Sequence, residues 1–181
     1  MALAASEQIW VFAYGSLMWR PGFPFEEVLD ARLHGYHRSP CVYSWVHRGT
    51  REMPGVVLGL DRGGSCRGRI FRIEPAREAE VLAYLDDREM VTAVYRRKRL
   101  LATSEQGRHL AWSYVVRHDH EQYAGKLDHA RLLHLIRQGE GISGRCCDYL
   151  LSTVAHLEGM GIVDGPLHLL AQQLRQGQCS P

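Results

Sequence analysis

Long apolar segments are missing from this sequence. Among its 181 residues, no apolar run approaches the roughly 20 residues that a membrane-spanning helix needs. The opening residues, MALAASEQ, contain neither a basic segment nor a long apolar stretch, so we expect no signal peptide. We therefore predict a protein that has no membrane partner.

Neither charge nor cysteine is concentrated in the chain. The net charge is only +2 and 23% of the residues are charged, which does not indicate nucleic acid as a partner. The five cysteines form no CxxC pair and no dense framework, so neither a structural zinc site nor a disulfide scaffold is predicted. We expect a reducing cytoplasm, in which Cys146 and Cys147 are small residues of the core or of a helix start.

No repeat, linker or low-complexity stretch divides the chain. Its length fits a single domain over residues 1–181, and a hydrophobic content of 45% supports a sizeable core. The first two-thirds favours strands, beginning with residues 9–13 and with loosely alternating segments at 32–37 and 41–46. Two hairpins are predicted: 55–60 with 67–73 around the turn 61–65, and 93–102 with 109–117 around the turn 104–107.

Helical periodicity interrupts the strands once and then dominates the last third. Pro75 begins the first helix, in which Val81, Leu82 and Leu85 recur at helical spacing. Strands followed by helices favour an α+β fold with a closed or strongly curved sheet. The later apolar faces are those of His129, Leu132, Leu133 and Ile136, of Leu150, Val154 and Leu157, and of Leu167, Leu170, Ala171 and Leu174, after Pro166.

A glycine motif, Tyr14-Gly15-Ser16, follows the first predicted strand. Glycine lets the backbone turn sharply there and leaves N–H groups that hold a carboxylate or an oxyanion. Gly15 is required if it adopts a positive φ or lies against a substrate. An ordinary strand-to-loop turn fits the pattern as well, because short glycine motifs are common in turns. Ser16 lacks the GxSxG surroundings of a nucleophile, and no histidine partner is indicated.

An acidic stretch, Asp86-Asp87-Arg88-Glu89, is expected as a turn after the mid-chain helix. A carboxylate that is buried or crowded by others has a raised pKa, which would let Glu89 act as a base near neutral pH. A solvated helix end is the alternative, and it fits Asp86 and Asp87 best.

Two further clusters favour structural roles. His118-Asp119-His120 offers two imidazoles on a loop, which make a weak metal site. The basic run at residues 96–99 lies in a predicted strand, where a solvated face or a charged sheet edge is more typical than a nucleic-acid site. The sequence therefore predicts no metal site.

Ordered blocks of this sequence resemble the ChaC-type γ-glutamylcyclotransferases, which act on glutathione. The resemblance extends from about residue 9 to about residue 160, and four blocks with matching spacing are far more specific than Tyr14-Gly15-Ser16 alone. The glutathione-specific members usually have Gly where Ala13 stands. Ala is common at that position in the related enzymes that act on γ-glutamyl amino acids. Cys146 stands where the family tends to have Asn. The blocks are residues 10–21 (WVFAYGSLMWRP), 47–50 (HRGT) with 53–55 (MPG), 84–89 (YLDDRE) with Tyr95, and 141–144 (GISG) with 148–151 (DYLL).

The resemblance implies a γ-glutamylcyclotransferase-like fold: a small, closed or strongly curved mixed β-barrel with flanking helices and a helical C-terminal third. It implies that the α-amine of the substrate attacks its own γ-carbonyl, which releases 5-oxoproline and, from glutathione, cysteinylglycine. Glu89 is the implied general base and acid, and no nucleophile, metal or cofactor is required. The implied substrate-binding residues are Val11, Phe12, Ala13, Tyr14, Gly15, Ser16, Leu17 and Tyr149, with Arg48 and Tyr14 equally consistent with structural roles.

Two alternatives remain open at this point. In the first, the same chemistry serves γ-glutamyl amino acids or γ-glutamylamines in place of glutathione. In the second, the chain is a non-enzymatic regulator of cation transport, although the intact Glu89 and Tyr14-Gly15-Ser16 weigh against that role. The expected partner is a small-molecule substrate, and the expected state is a monomer.

Overall fold

The computed structural model describes residues 8–177 and Cys179. Residues 1–7 of the stretch considered above for a signal peptide therefore lie outside the described part. The chain divides into two compact units. The first runs up to Arg38 and resumes over Leu60–Val116, and the second comprises Ser39–Gly59 and the chain from Arg117 onward. That residues 1–181 form one domain stays a prediction.

Five strands form a closed barrel in the order β1-β3-β2-β4-β5. β1 is antiparallel to β3 and parallel to β5, whereas β4 is antiparallel to both β2 and β5, so the sheet is mixed. The predicted α+β class with a closed mixed barrel is therefore confirmed. The strands are β1 Ile9–Ala13, β2 Glu27–Ser44, β3 Gly55–Ile73, β4 Tyr95–Ser104 and β5 Gly107–Val116.

β1 is buried along its whole length. All five side chains of its sequence IWVFA are buried, as is typical of a strand that is covered on both faces. β3 passes so close that a Cβ added at Gly68 would lie 2.2 Å from the carbonyl oxygen of Ala13 and 2.8 Å from Cζ of Phe12. This close packing fixes the end of β1, from which the Tyr14-Gly15-Ser16 loop departs.

The hairpin predicted within residues 55–73 is wrong, because β3 continues through that stretch as one strand of 19 residues. Gly63 and Gly64 adopt positive φ angles of 96° and 67°, which bend a strand as readily as they reverse it. His37 of β2 contacts the carbonyl of Gly63 through Nδ1 at 3.0 Å. The segment predicted at 32–37 likewise lies within the single strand β2, which also contains residues 41–44 of the segment predicted at 41–46 and ends at Ser44.

The hairpin predicted around residues 104–107 is confirmed. Ser104 of β4 pairs with Gly107 of β5, so only Glu105 and Gln106 connect the two strands. Gly107 has a φ of 120°, a conformation that favours glycine.

A 3₁₀ turn, Pro75–Arg77, leads into helix α1, Glu78–Glu89. Val81, Leu82 and Leu85 are buried, as their spacing predicts. The helix extends further than expected, because the acidic stretch up to Glu89 forms its last turn and not a separate turn after it. Glu89 therefore ends a helix of the first unit.

The second unit contains helices α2 His129–Gln138, α3 Cys146–Gly159 and α4 Gly165–Gln176. A short hairpin of β6 Glu140–Gly141 and β7 Gly144–Arg145, which the sequence did not predict, separates α2 from α3. None of the helices in the described part of the chain is long and apolar enough to cross a membrane. The predicted apolar faces of α3 and α4 are buried, whereas α2 buries Leu135 and Ile136 most deeply.

Cys147 and Cys179 form a disulfide, so the expectation that Cys147 is simply a core or helix-start residue is wrong. The bridge joins the first turn of α3 to the segment after α4, across a sequence separation of 32 residues. In the chain-entropy account, closing a loop of that size contributes about 3–4 kcal/mol to the free energy of unfolding. Cys41, Cys66 and Cys146 are buried thiols, which for Cys146 confirms the predicted place in the core.

Candidate active site

The Tyr14-Gly15-Ser16 loop becomes a short 3₁₀ helix, Ser16–Met18, directly after β1. The turn closes through hydrogen bonds from the Met18 N–H to the Gly15 carbonyl, 2.9 Å, and from the Arg20 N–H to the Ser16 carbonyl, 2.8 Å. The first N–H groups of a helical turn have no acceptor within that turn. The amides of Ser16 and Leu17 are thus donors suited to an anion.

Most side chains of the loop face the core. Tyr14 and Leu17 are buried, as are the β1 residues Val11, Phe12 and Ala13, whereas Gly15 and Ser16 are partly exposed. The loop can therefore present its backbone around Gly15 and Ser16 to a ligand, but not the side chains of β1.

Gly15 does not adopt the positive φ that was considered as a reason for glycine. Its φ is −131°, and a Cβ added there would meet no atom of the described residues within 4 Å. A side chain larger than hydrogen would therefore enter open space next to the loop.

Arg38 holds the start of the loop, and sequence reasoning missed it. Its side chain is buried. It donates one hydrogen bond from Nε to the carbonyl of Tyr14 and one from Nη2 to the carbonyl of Arg67, each 2.6 Å long. A buried guanidinium needs such acceptors. An arginine within a strand carries no sequence signal that distinguishes this role from a solvated one.

Glu89, the last residue of α1, has a side chain that is only 21% exposed. Burial raises the pKa of its carboxyl, because the charged form loses hydration, and the neighbouring charge of Arg88 lowers that pKa by less. The carboxyl therefore binds a proton more readily than an ordinary glutamate does. This is the property that a general base near neutral pH requires.

Arg88 joins Glu89 to the loop. Its Nε lies 3.4 Å from Oε1 of Glu89, and its Nη2 donates a hydrogen bond of 2.9 Å to Oγ of Ser16. The structure thus brings the candidate base and the candidate loop together within the first unit, although they are more than 70 residues apart in sequence.

Asp86 is not the solvated acid that the sequence indicated. Its carboxylate accepts a hydrogen bond of 2.5 Å from the Tyr114 hydroxyl and one of 2.7 Å from Nη1 of Arg97. Asp87 is exposed, as predicted. Of the three acids at the end of α1, Asp86 anchors the helix, Asp87 faces solvent, and Glu89 lies beside the loop.

Arg48 and Tyr149 lie together in the second unit. The Arg48 guanidinium is 5.3 Å from the centre of the Tyr149 ring and donates to the carbonyls of Ser143 and Arg145. The hydroxyl oxygen of Tyr149 accepts a hydrogen bond of 3.2 Å from the Leu58 N–H. Arg48 therefore has a structural function, because it fixes the turn between β6 and β7.

Comparison with known proteins identifies the family of this chain. A family model described as ChaC-like protein matches residues 9–176. The chain belongs to the ChaC-like family. It is 30% identical over 182 residues to the glutathione-specific gamma-glutamylcyclotransferase of Escherichia coli, covering 96% of this chain and 79% of that protein. It is 28% identical over 170 residues to human glutathione-specific gamma-glutamylcyclotransferase 1, covering 91% of this chain and 77% of that protein.

The fold of this ChaC-like chain is similar to that of a solved relative. The crystal structure of a yeast gamma-glutamyl cyclotransferase specific to glutathione superposes with a TM-score of 0.85 at 22% identity. The match covers 96% of this chain and 98% of the yeast chain. The predicted γ-glutamylcyclotransferase-like fold is thereby confirmed.

Cys146, the departure from the usual Asn of ChaC-like proteins, keeps two polar contacts. Its Sγ accepts a hydrogen bond of 3.4 Å from the Val56 N–H and donates one of 3.1 Å to the Val56 carbonyl. Burial raises the pKa of this thiol to about 11, so it remains a neutral donor at physiological pH. The thiol therefore satisfies both a backbone donor and a backbone acceptor, as an amide side chain can.

The remaining clusters are used within the fold of this ChaC-like chain. The ring of His118 stacks on Tyr123 with centroids 4.2 Å apart, and Nδ1 of His120 accepts a hydrogen bond from the Gln122 N–H. Within the part of the chain that the structure describes, no group of three or more potential metal ligands is present. In the basic run, the guanidiniums of Arg97 and Arg99 lie 5.2 and 5.4 Å from the centre of the Trp112 ring.

Proposed function

We propose that this ChaC-like protein is a γ-glutamylcyclotransferase that cleaves glutathione to 5-oxoproline and cysteinylglycine. The observation that carries the proposal is a half-buried carboxylate, Glu89, beside a loop of backbone donors, to which Arg88 connects it. The names of the E. coli and human relatives support the choice of glutathione as the substrate.

The reaction is an internal transfer within the substrate. The α-amine nitrogen attacks the γ-carbonyl carbon, a C–N bond forms, and the bond from that carbon to the cysteine nitrogen breaks. The two protons that the α-ammonium group gives up are taken, overall, by the departing nitrogen, which leaves as the ammonium group of cysteinylglycine. The nucleophile belongs to the substrate, so the enzyme has to supply only proton transfer, positioning and charge stabilisation.

Glu89 is the proposed carrier of a proton between the two nitrogens. An α-amine with a pKa of about 8 is largely protonated at neutral pH and cannot attack until it loses a proton. A half-buried carboxylate with a raised pKa takes that proton and then gives it to the departing nitrogen. General acid–base catalysis of this kind typically contributes about 10²–10⁴-fold in rate.

The loop is the proposed holder of the γ-glutamyl end. The amides around Gly15 and Ser16 are suited to the α-carboxylate of the substrate, or to the oxyanion that forms at the γ-carbonyl. An oxyanion donor contributes roughly 3 kcal/mol to the stability of the transition state. Holding the chain in the conformer that cyclises adds an entropic advantage.

Tyr149 is a second proposed substrate contact, through its phenolic group. Replacement of Tyr149 by Phe tests this role, because it should raise KM for glutathione without unfolding the protein. Arg48 is a weaker proposal of the same kind, since the carbonyls of Ser143 and Arg145 already engage its guanidinium.

We further propose that the protein acts as a monomer in the cytoplasm. In that compartment the Cys147–Cys179 bridge has to resist reduction by the glutathione pool, which is unusual for a cytoplasmic protein. Size-exclusion chromatography tests the monomer, and cell fractionation tests the compartment.

The substrate can be decided by one comparison. Ala13 favours γ-glutamyl amino acids as a second candidate substrate class, because Ala is common at that position in the enzymes that act on them. The protein is incubated with glutathione and, separately, with γ-glutamyl-alanine, and the 5-oxoproline released is quantified. We expect faster release from glutathione. Faster release from γ-glutamyl-alanine would change the substrate, and no release from either would refute the proposed reaction.

A further inference from the structure

Arg88 occupies the junction between the two halves of the candidate site. Beyond its contacts with Ser16 and Glu89, its Nη1 donates hydrogen bonds of 2.8 Å to the carbonyl of Arg20 and of 3.1 Å to the hydroxyl of Tyr84. The guanidinium therefore contacts the loop, the segment that follows the loop, and its own helix. Arginine suits such a junction, because its planar group presents five donors in a fixed arrangement.

The contact between Arg88 and Glu89 is not one that a helix supplies by itself. Consecutive residues of an α-helix point about 100° apart around its axis and do not face each other. Their side chains nevertheless approach to 3.4 Å here, and the same guanidinium donates a hydrogen bond to Ser16 of the loop. The side chains of Arg88 and Glu89 are 27% and 21% exposed, so solvent screens this pair less than it screens a surface pair.

We infer that Arg88 is a positioning residue of the proposed reaction, which orients the Glu89 carboxylate relative to the Ser16 loop. The inference rests on the proposed function, in which Glu89 is the base. Arg88 acts through Glu89 and not on the reacting atoms.

The charges around Glu89 support a specific role for Arg88. Burial raises the pKa of Glu89, and Arg88 supplies the positive charge that opposes this rise. Arg97 of β4 also pairs with an acid of the last turn of α1, but that acid is Asp86 and not Glu89. Tyr84 and Ser16 contact Arg88 through their hydroxyl groups. Removing the charge at position 88 should therefore raise the pKa of Glu89 further.

The test compares Arg88→Met, Arg88→Lys and Ser16→Ala with the wild type, by measuring kcat and KM for 5-oxoproline release as a function of pH. In Arg88→Met we expect kcat at neutral pH to fall roughly 10- to 100-fold, as misplaced catalytic groups do, with the acid limb of kcat/KM moved to higher pH. Arg88→Lys keeps the charge but not the planar group, so its acid limb should stay in place while kcat falls. Ser16→Ala should lower kcat without moving the acid limb.

Arg77→Met is the matched control. Arg77 directly precedes the same helix, and its Nη2 lies 2.7 Å from Oε1 of Glu80. The side chain of Arg77 is 42% exposed. Its removal should change neither kcat nor the pH profile. A purely structural role for Arg88 would lower the melting temperature and the amount of active protein, but it would not move the acid limb.

A second measurement separates this inference from the proposed function. The pKa of Glu89 is followed by ¹³C NMR of the side-chain carboxyl in the wild type and in Arg88→Met, which needs no turnover. An unchanged pKa in Arg88→Met overturns the inference, even if the wild type releases 5-oxoproline. If Arg88→Met does not fold, Arg88→Lys takes its place. A kcat of Arg88→Lys equal to that of the wild type then overturns the inference. Failure of the wild type to release 5-oxoproline refutes the proposed function instead.

Discussion

The phenolic hydroxyl of Tyr114 donates a hydrogen bond of 2.5 Å to Oδ1 of Asp86. The other carboxylate oxygen of Asp86 accepts a hydrogen bond of 2.7 Å from Nη1 of Arg97, so strands β4 and β5 both hold the last turn of α1. Because Glu89 follows Asp86 by three residues in that helix, the same contacts fix the backbone position of the candidate base. The barrel and the site are thereby connected within the first unit.

Replacing Tyr114 by Phe should lower the free energy of unfolding by about 1–3 kcal/mol, because Asp86 loses a hydrogen bond in a partly buried site. Burial, together with the neighbouring Asp86, raises the pKa of Tyr114, so its hydroxyl is a donor throughout the neutral range. Urea unfolding measures the change. Tyr36→Phe, at a half-buried position of the same unit, is the control and should change stability little. Equal midpoints for Tyr114→Phe and the wild type would contradict the anchoring role.

Replacing Gly15 by Ala should leave stability within about 0.5 kcal/mol of the wild type, because its φ is negative and the added methyl group meets no neighbour. The methyl group should nevertheless raise KM, since it enters the space assigned to the substrate. Gly22→Ala is the contrasting variant, because Gly22 has a φ of 73° and its Cβ would lie 2.0 Å from the Tyr84 hydroxyl. It should unfold at a clearly lower urea concentration. Wild-type KM in Gly15→Ala would argue against a substrate at the loop.

Replacing Cys146 by Ala should destabilise the protein by about 1–3 kcal/mol, because the N–H and carbonyl of Val56 lose their partner in a buried site. Cys146→Ser retains a group that donates and accepts, so it should lose less. Thermal unfolding of the two variants side by side makes the comparison. Equal losses would show that the thiol contributes only packing.

Replacing Glu89 by Gln should make the stability of the protein less sensitive to pH. An acid whose pKa is raised on folding contributes stability that is complete below its unfolded pKa, about 4.3 for glutamate, and that is lost as the pH rises through the folded value. Glu89→Gln carries no charge, so it should be more stable than the wild type at pH 7. The gap in melting temperature should close as the pH falls below about 4. A wild type that is the more stable protein at pH 7 would contradict the raised pKa.

Apolar periodicity predicted the helices, because the side chains that a helix buries recur at helical spacing. A continuous apolar run predicted the strand before the loop, which is buried along its whole length. The buried faces of α1, α3 and α4 lie where their sequences place them. The hairpin predicted at residues 61–65 failed for a physical reason. Gly63 and Gly64 adopt positive φ angles, which are compatible with a bend within one strand as well as with a turn between two strands. The Cys147–Cys179 bridge was not predicted, because it joins residues that are distant in sequence.

The candidate site was predictable only in its two conspicuous parts, the glycine loop and Glu89. Arg38 and Arg88 complete it, and both act through carbonyl or hydroxyl oxygens that are remote in sequence. An arginine in the sequence does not reveal which oxygen its side chain will contact, because the folding of the barrel decides which oxygens lie within its reach. The role of Asp86 was mistaken for the same reason, because its partners come from β4 and β5.

Glu89 is the residue on which the proposed internal cyclisation most directly depends, as its general base. The decisive measurement is the initial rate of 5-oxoproline release from glutathione by the wild type and by Glu89→Gln at neutral pH, with circular dichroism to confirm that both are folded. We expect release by the wild type and a loss of at least about 10²-fold in kcat for Glu89→Gln, with glutathione binding retained. A folded Glu89→Gln variant that releases 5-oxoproline at a near wild-type rate would contradict the role of Glu89 as the base.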